Sequence, residues 1–247
     1  MTSPTQASTS SAISTTAALV AIVATISYQV LLIALIFLRP DLDPSWHTIS
    51  EWAIGPYGWM MSVAFFISAL SYAALLVLLK SQLHGTLGRL AFGVLLICVI
   101  GAAGVGIFRT DPMPIHLPLS LRGTLHVIFG TTQLVLLPFA ALLINLSLAR
   151  RNEKWRTARR ALLWTAGLPM LGFLSFAIYT AIFVFPLGPG AYGPGVNIGW
   201  PPRFAFLTYT LWVVTLSWEA IRCSDQALIS PRRAILLGGG RAQRLSS

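Results

Sequence analysis

The run AALVAIVATISYQVLLIALIFL, at residues 17–38, is 22 residues long and contains no charged side chain. A helix rises about 1.5 Å per residue, so about 20 apolar residues cross the hydrocarbon core of a bilayer. Five further runs of comparable length follow, at residues 60–79, 90–108, 125–148, 161–185 and 204–221. Backbone in lipid must satisfy its own hydrogen bonds, which favours helices. The pattern therefore predicts an all-α, multi-pass membrane protein with a bundle of six transmembrane helices.

The composition supports this prediction and indicates how the chain is oriented. Hydrophobic residues make up 55% of the chain, charged residues 10%, and the mean hydropathy is +0.75. The formal net charge of +10 could indicate a nucleic-acid partner. However, most lysines and arginines fall in the C-terminal tail and in the connections between spans 2 and 3 and between spans 4 and 5. By the positive-inside rule, this distribution predicts cytoplasmic termini and a plasma-membrane location, without nucleic-acid binding.

The apolar runs also divide the chain. Residues 1–16 are rich in serine and threonine and carry no charge, which predicts a disordered cytoplasmic tail. Residues 17–221 form the predicted six-helix domain, and residues 222–247 form a basic cytoplasmic tail. Within the domain, the small residues Ala102 and Gly106 predict a close approach of the third span to another helix. Pro169 predicts a kink in the fifth span.

Polar residues gather between the first two spans, in WHTISEW at residues 46–52, which GPYGW at residues 55–59 follows closely. Asp43 and Pro44 resemble a helix N-cap and a first helical residue, so a short interfacial helix is predicted over residues 44–54. On such a helix His47, Ser50 and Glu51 would share one face.

The other ionisable groups are also concentrated at the predicted outer end. Three of the four histidines and four of the seven acidic residues lie there, including His116. We therefore predict a polar pocket at the outer membrane face, built from His47, Ser50, Glu51, Asp111, His126 and Arg203. The connection at residues 186–203 is dense in glycine and proline and is predicted to form a lid over this face.

Four uses of this pocket are open at the level of sequence. His47, Glu51, Asp111 and His126 could bind zinc and support a metal-dependent intramembrane hydrolase. Ser50 could be a nucleophile, with His47 or His126 as base and Asp111 to orient the base. The acids could instead pair with arginines, namely Arg203, Arg109 and Arg122, while the histidines bridge helices. Alternatively, the face could bind a lipid or small ligand between tryptophan walls, namely Trp46, Trp52, Trp59 and Trp200.

Several short motifs resemble the domain-of-unknown-function 998 family of prokaryotic six-span membrane proteins. They are Ser50-Glu51 with Gly55-Pro56-Tyr57-Gly58, Phe108 with Thr110-Asp111-Pro112, His126, and Gly199 with Arg203. The chain has Arg109 where the family pattern leads us to expect proline. The resemblance implies that Ser50, Glu51, Asp111, His126 and Arg203 form the outer site. It implies no activity, although the layout is similar to that of eukaryotic six-helix autophagy modulators, which suggests a lipid-related role.

The leading functional hypothesis is thus an integral membrane protein that binds a lipid or small ligand at its outer face. The metal-dependent hydrolase is the alternative hypothesis. An open coordination position beside the acids would favour the enzyme, whereas arginines that occupy the carboxylates would favour a structural network. Membrane lipids are the expected partners, and no cofactor is predicted apart from the possible zinc ion.

Overall fold

The protein is an all-α bundle, as predicted, in a computed structural model that describes residues 4–112, 118–151, 155–188 and 193–242. The helices are α1 (Pro4–Leu38), α2 (Gly58–Leu79), α3 (Gly85–Ile107), α4 (Leu121–Arg151), α5 (Arg159–Thr165), α6 (Gly167–Tyr179) and α7 (Trp200–Ala242). Six of the helical stretches are long and apolar enough to cross a membrane, with α5, α6 and two short helical turns together making the fifth.

The helices α1 and α7 are longer than the predicted spans. Helix α1 begins at Pro4, and its apolar part runs over Thr15–Leu38. Helix α7 runs to Ala242, and its apolar part is Trp200–Ser224. Both helices thus extend into the stretches predicted as tails, and the division of the chain into tails and a membrane domain stays a prediction.

The bundle closes on itself. Each span packs against its neighbour along the chain, α6 packs against both α4 and α7, and α1 packs against α7. The predicted close approach of α3 is confirmed: a Cβ on Gly101 would lie 3.0 Å from the Phe129 carbonyl oxygen of α4. Likewise, a Cβ on Gly106 would lie 3.2 Å from the Phe66 ring of α2. Small residues on α3 therefore let the two flanking helices approach it closely.

The fifth span is interrupted one turn before Pro169. Helix α5 ends at Thr165, four residues before Pro169, and α6 begins at Gly167, two residues before it. Because Pro169 has no N–H, it cannot donate to the carbonyl one turn earlier, so the predicted kink is confirmed. A π-helical turn over Thr180–Val184 and a 3-10 turn over Phe185–Leu187 then end the span.

The two ends of the bundle differ. We call residues 39–57 the cap segment, and the end of the bundle where it lies the cap face. The opposite end, where Lys80 and the connection between α4 and α5 lie, is the basic end. Near the basic end, the buried Asn145 side chain donates to the Leu162 carbonyl at 2.7 Å and accepts from Trp212 Nε1 at 3.2 Å, which ties α4 to α5 and α7.

The apolar core extends up to the cap segment. Ile49, Trp52 and Ala53 are buried against a cluster from α1, α2 and α3 that includes Leu35, Met61, Phe65 and Val105. A larger cluster fills the rest of the bundle. The cap segment is thus packed into the end of the bundle, and its polar residues are held at the surface of the core.

Candidate functional site at the cap face

The cap segment is not the interfacial helix predicted over residues 44–54. After the turn at Asp43–His47 the chain forms only a 3-10 helix, Ile49–Ala53. Asp43 accepts a hydrogen bond from the Ser45 N–H at 2.8 Å, so it forms a side-chain turn rather than a helix cap. This N–H bond also holds the pKa of Asp43 below its ordinary value. The stretch is too short for a stable helix and is shaped by its polar contacts instead.

Arg39 fastens the two ends of the cap segment together. Its Nη1 donates to the carbonyls of Ile54 at 2.6 Å and Pro56 at 3.1 Å, while Nη2 donates to Asp41 at 2.7 Å. The guanidinium lowers the pKa of Asp41, and the carboxylate raises the pKa of Arg39. Sequence reasoning missed this residue, although an arginine at a span end, two residues before an aspartate, was an available signal.

Glu51 and His47 form the predicted contact between residues four apart. His47 Nδ1 lies 2.5 Å from Glu51 Oε2, and both side chains are buried. The other carboxylate oxygen accepts from the Thr48 N–H at 2.6 Å and from its hydroxyl at 2.9 Å. Three donors therefore surround the Glu51 carboxylate, which satisfies a buried negative charge without an arginine.

Arg203, at the start of α7, binds backbone carbonyls. In the part of the chain that the structure describes, it does not bind the acidic side chains that one of the sequence-based alternatives paired with it. Its Nη1 donates to Pro44 and His47 at 3.1 Å each and to Gly199 at 2.6 Å. The guanidinium lies 4.4 Å from the centre of the Trp52 ring, a cation–π contact. Arg203 therefore ties α7 to the cap segment.

His126, near the start of α4, holds the other side of the cap segment. Its Nδ1 lies 2.6 Å from the Phe108 carbonyl oxygen, and its Nε2 lies 2.8 Å from Ser50 Oγ. Because the carbonyl can only accept, Nδ1 carries the proton and Nε2 accepts from the Ser50 hydroxyl. His126 thus joins the ends of α3 and α4 to the 3-10 helix, as in the alternative in which the histidines bridge helices.

Asp111 forms its hydrogen bonds with Ser120 and not with the other predicted site residues. Its carboxylate accepts from the Ser120 N–H at 2.8 Å and from the Ser120 hydroxyl at 2.5 Å, just before α4 begins. These bonds lower the pKa of Asp111. Ser120 Oγ in turn accepts from the Gly123 N–H at 2.9 Å, so the pair secures the start of α4. Among the described residues Asp111 makes no ion pair with Arg109 or Arg122.

The six predicted pocket residues therefore divide into separate groups. His47 pairs with Glu51, Ser50 with His126, Asp111 with Ser120, and Arg203 binds carbonyls of the cap segment. The alternative in which Glu51 pairs with an arginine is not what the described residues show, because the carboxylate is hydrogen bonded to His47 and Thr48. His116 lies outside the described residues.

The four predicted zinc ligands do not come together. Both ring nitrogens of His126 are engaged, and the Asp111 carboxylate faces Ser120. Across residues 4–112, 118–151, 155–188 and 193–242, no group of three or more His, Cys, Asp and Glu side chains could hold a metal ion. The geometry of the described site thus does not support a metal centre built from these residues.

A crevice lies beside this network, between α6 and α7. It is lined by Ser175, Tyr179, Asn197, Trp200, Pro201 and Phe204 and has a volume of about 380 Å³. Of the predicted tryptophan walls, only Trp200 lines this crevice; Trp52 is buried under Arg203, and Trp59 is exposed on α2. The end of the predicted lid packs on the cap segment, since the Gly199 N–H donates to the Ser45 carbonyl at 2.8 Å. Residues 189–192 of that lid lie outside the described residues.

Comparison with known proteins identifies a family whose function is unknown. No curated protein matches the chain, and no solved structure does. A family model described as a protein of unknown function, DUF998, matches residues 17–219, which include most of all six spans and the whole cap segment. The chain is therefore a member of the DUF998 family of proteins of unknown function.

Proposed function

We propose that this membrane protein binds a lipid at its cap face, with an alkyl chain in the crevice between α6 and α7. The observation that carries the proposal is the crevice itself. Its volume of about 380 Å³ falls in the range of ligand sites, and its lining combines aromatic surface with a few polar groups. The His47–Glu51 and Ser50–His126 pairs stabilise the neighbouring cap segment.

The chemistry of the lining favours an amphiphile. Trp200 is half exposed, and Tyr179 and Trp200 each offer an apolar ring with one polar atom, a combination that is enriched at the membrane interface. Asn197, a residue with a polar amide side chain, also lines the crevice. An occupant with an alkyl chain and a polar head would satisfy both kinds of surface.

Arg203 favours an anionic head group. Its guanidinium carbon lies 5.9 Å from the centre of the Trp200 ring, next to the crevice. Only Nη1 is used for the carbonyls, and within the described part of the chain Nε and Nη2 form no hydrogen bond. Two donor atoms of a cation are thus available for a phosphate or carboxylate oxygen.

The local helix geometry also supports a ligand at this position. The π-helical turn Thr180–Val184 directly follows α6. Such turns are rare in proteins overall, and those that occur are often found at functional sites. Ile178, Ile182 and Phe183 around it are exposed, so they face lipid in a membrane.

Replacement of Trp200 by alanine should weaken lipid binding by about tenfold, because it removes the main aromatic wall of the crevice. Native mass spectrometry of the purified protein, titrated with phosphatidylglycerol and separately with phosphatidylcholine, measures the bound lipid. We expect one tightly bound phosphatidylglycerol for the unaltered chain and weaker binding of phosphatidylcholine.

The matched control is Trp59→Ala. Trp59 is also an exposed tryptophan near the cap face, but it lies on α2, away from the crevice. Equal losses in Trp200→Ala and Trp59→Ala, or no loss in Trp200→Ala, would contradict the proposal.

We further propose that the cap face is on the outer side of the plasma membrane, since the basic residues favour the opposite side. Single cysteines test this orientation in a chain whose native Cys98 and Cys223 are replaced by alanine. In intact cells, a membrane-impermeant maleimide should label Pro118→Cys but label Lys80→Cys only after lysis. Labelling in the reverse order would refute the orientation.

A further inference from the structure

From the geometry of Ser50 and His126 we infer a second activity at the cap face: this pair is a nucleophile and its base, able to attack the carboxylic ester of an amphiphile. The inference does not rest on the crevice between α6 and α7, because it uses different residues on different elements. It goes beyond lipid binding, since it assigns a covalent step to the chain.

The hydrogen bond between Ser50 and His126 has a defined direction. Since Nδ1 of His126 must donate to the Phe108 carbonyl, the unprotonated Nε2 accepts from the Ser50 hydroxyl over 2.8 Å. A hydroxyl that donates to an imidazole, whose other nitrogen is held by a fixed acceptor, is the resting arrangement of an activated serine. The Phe108 carbonyl thus takes the orienting position that sequence reasoning had given to Asp111.

The surrounding aromatic rings hold the Ser50–His126 pair in place. His126 is only 5% exposed and packs edge-on against the Phe65 ring, with the centres 6.2 Å apart. Phe108, which supplies the carbonyl, stacks on Phe129 with the ring planes 2° apart. Ser50 is partly exposed, on a 3-10 helix fixed by Thr48 and Glu51. The base is therefore fixed in position, while the residue that carries the nucleophile is partly exposed.

The position of Ser50 defines the class of substrate. Tyr57 ends the cap segment and Trp59 lies at the start of α2 just after it; they are 48% and 62% exposed, as aromatic residues at a membrane interface are. The ester groups of membrane lipids lie at this depth, between the head groups and the alkyl chains. An acyl ester of a lipid in the leaflet at the cap face is therefore the substrate that the pair can reach.

The step balances with water as the only co-reactant. Ser50 Oγ forms a bond to the ester carbonyl carbon, and its proton moves to His126 Nε2. The ester C–O bond breaks, and the leaving alcohol takes that proton. Water then attacks the acyl-serine, with Nε2 accepting and returning one proton, so that a carboxylic acid is released and Ser50 is restored.

An alkyl fluorophosphonate, which reacts with activated serines, tests the inference on the full-length protein in lipid nanodiscs. We expect one adduct per chain, which peptide mapping by mass spectrometry places on Ser50. Replacement of His126 by alanine should slow labelling by about 100-fold or more, as removal of a general base does. Because mapping uses the unaltered chain, the result does not depend on how well a variant folds.

Ser120→Ala is the matched control. Ser120 is another serine at the cap face, but its hydroxyl contacts the Asp111 carboxylate and not a histidine. Labelling of Ser50 should be unchanged in this variant. The absence of an adduct at Ser50, or equal labelling rates with and without His126, would overturn the inference.

Discussion

Replacement of Arg203 by methionine should lower the free energy of unfolding by about 3 kcal/mol, which corresponds to a fall in melting temperature of about 6–12 °C. Methionine retains much of the side-chain volume but removes the cation. The carbonyls of Pro44, His47 and Gly199 then lose a charged donor, and Trp52 loses its cation–π partner. Thermal unfolding of the detergent-solubilised protein measures the change.

Arg203→Lys separates the geometry from the charge. A lysine keeps the positive charge, but its single ammonium group cannot reproduce the planar contact with Trp52. We expect it to recover less than half of the lost stability. An unchanged melting temperature in Arg203→Met would mean that α7 does not hold the cap segment.

Replacement of Gly199 by alanine should be destabilising to a similar extent, by about 3 kcal/mol, because it overpacks a site with no room. An added Cβ would lie 2.7 Å from the His47 carbonyl oxygen and 2.9 Å from Arg203 Nη1, and it would clash with the Pro44 carbonyl oxygen. Two of these neighbours are backbone atoms, so the cap segment itself would have to move. Thermal unfolding again gives the measurement.

Gly193→Ala is the control in the same connection. An added Cβ on Gly193 meets no atom of the described residues within 4 Å. Its free energy of unfolding should therefore change by no more than about 0.5 kcal/mol, as expected of a surface substitution. Equal effects of the two alanine variants would argue against the close contact between Gly199 and the cap segment.

The fold was largely predictable from sequence because its determinants are continuous along the chain. An apolar run long enough to cross a bilayer leaves few alternatives to a helix, and the break before Pro169 follows from one missing N–H. The contact between His47 and Glu51 was predictable for the same reason, since the two residues are only four apart.

The long-range contacts of the site were not predictable in this way. Arg203 binds three backbone carbonyls. Because every residue has a backbone carbonyl, the sequence does not indicate which carbonyls Arg203 binds. Ser50 and His126 are far apart along the chain, so sequence alone could not decide whether His47 or His126 is its partner. The predicted helix at residues 44–54 failed because local polar contacts outweighed a weak helix signal in a short stretch.

The central claim of this account is that the cap segment is a fixed element, held by α7 through Arg203 and by α4 through His126. Hydrogen–deuterium exchange of the protein in lipid nanodiscs, followed by mass spectrometry of peptides from residues 39–57, tests it most directly. The account predicts slow exchange in the unaltered chain and fast exchange in Arg203→Met, while peptides from α3 stay protected in both. Fast exchange of this segment in the unaltered chain would contradict it.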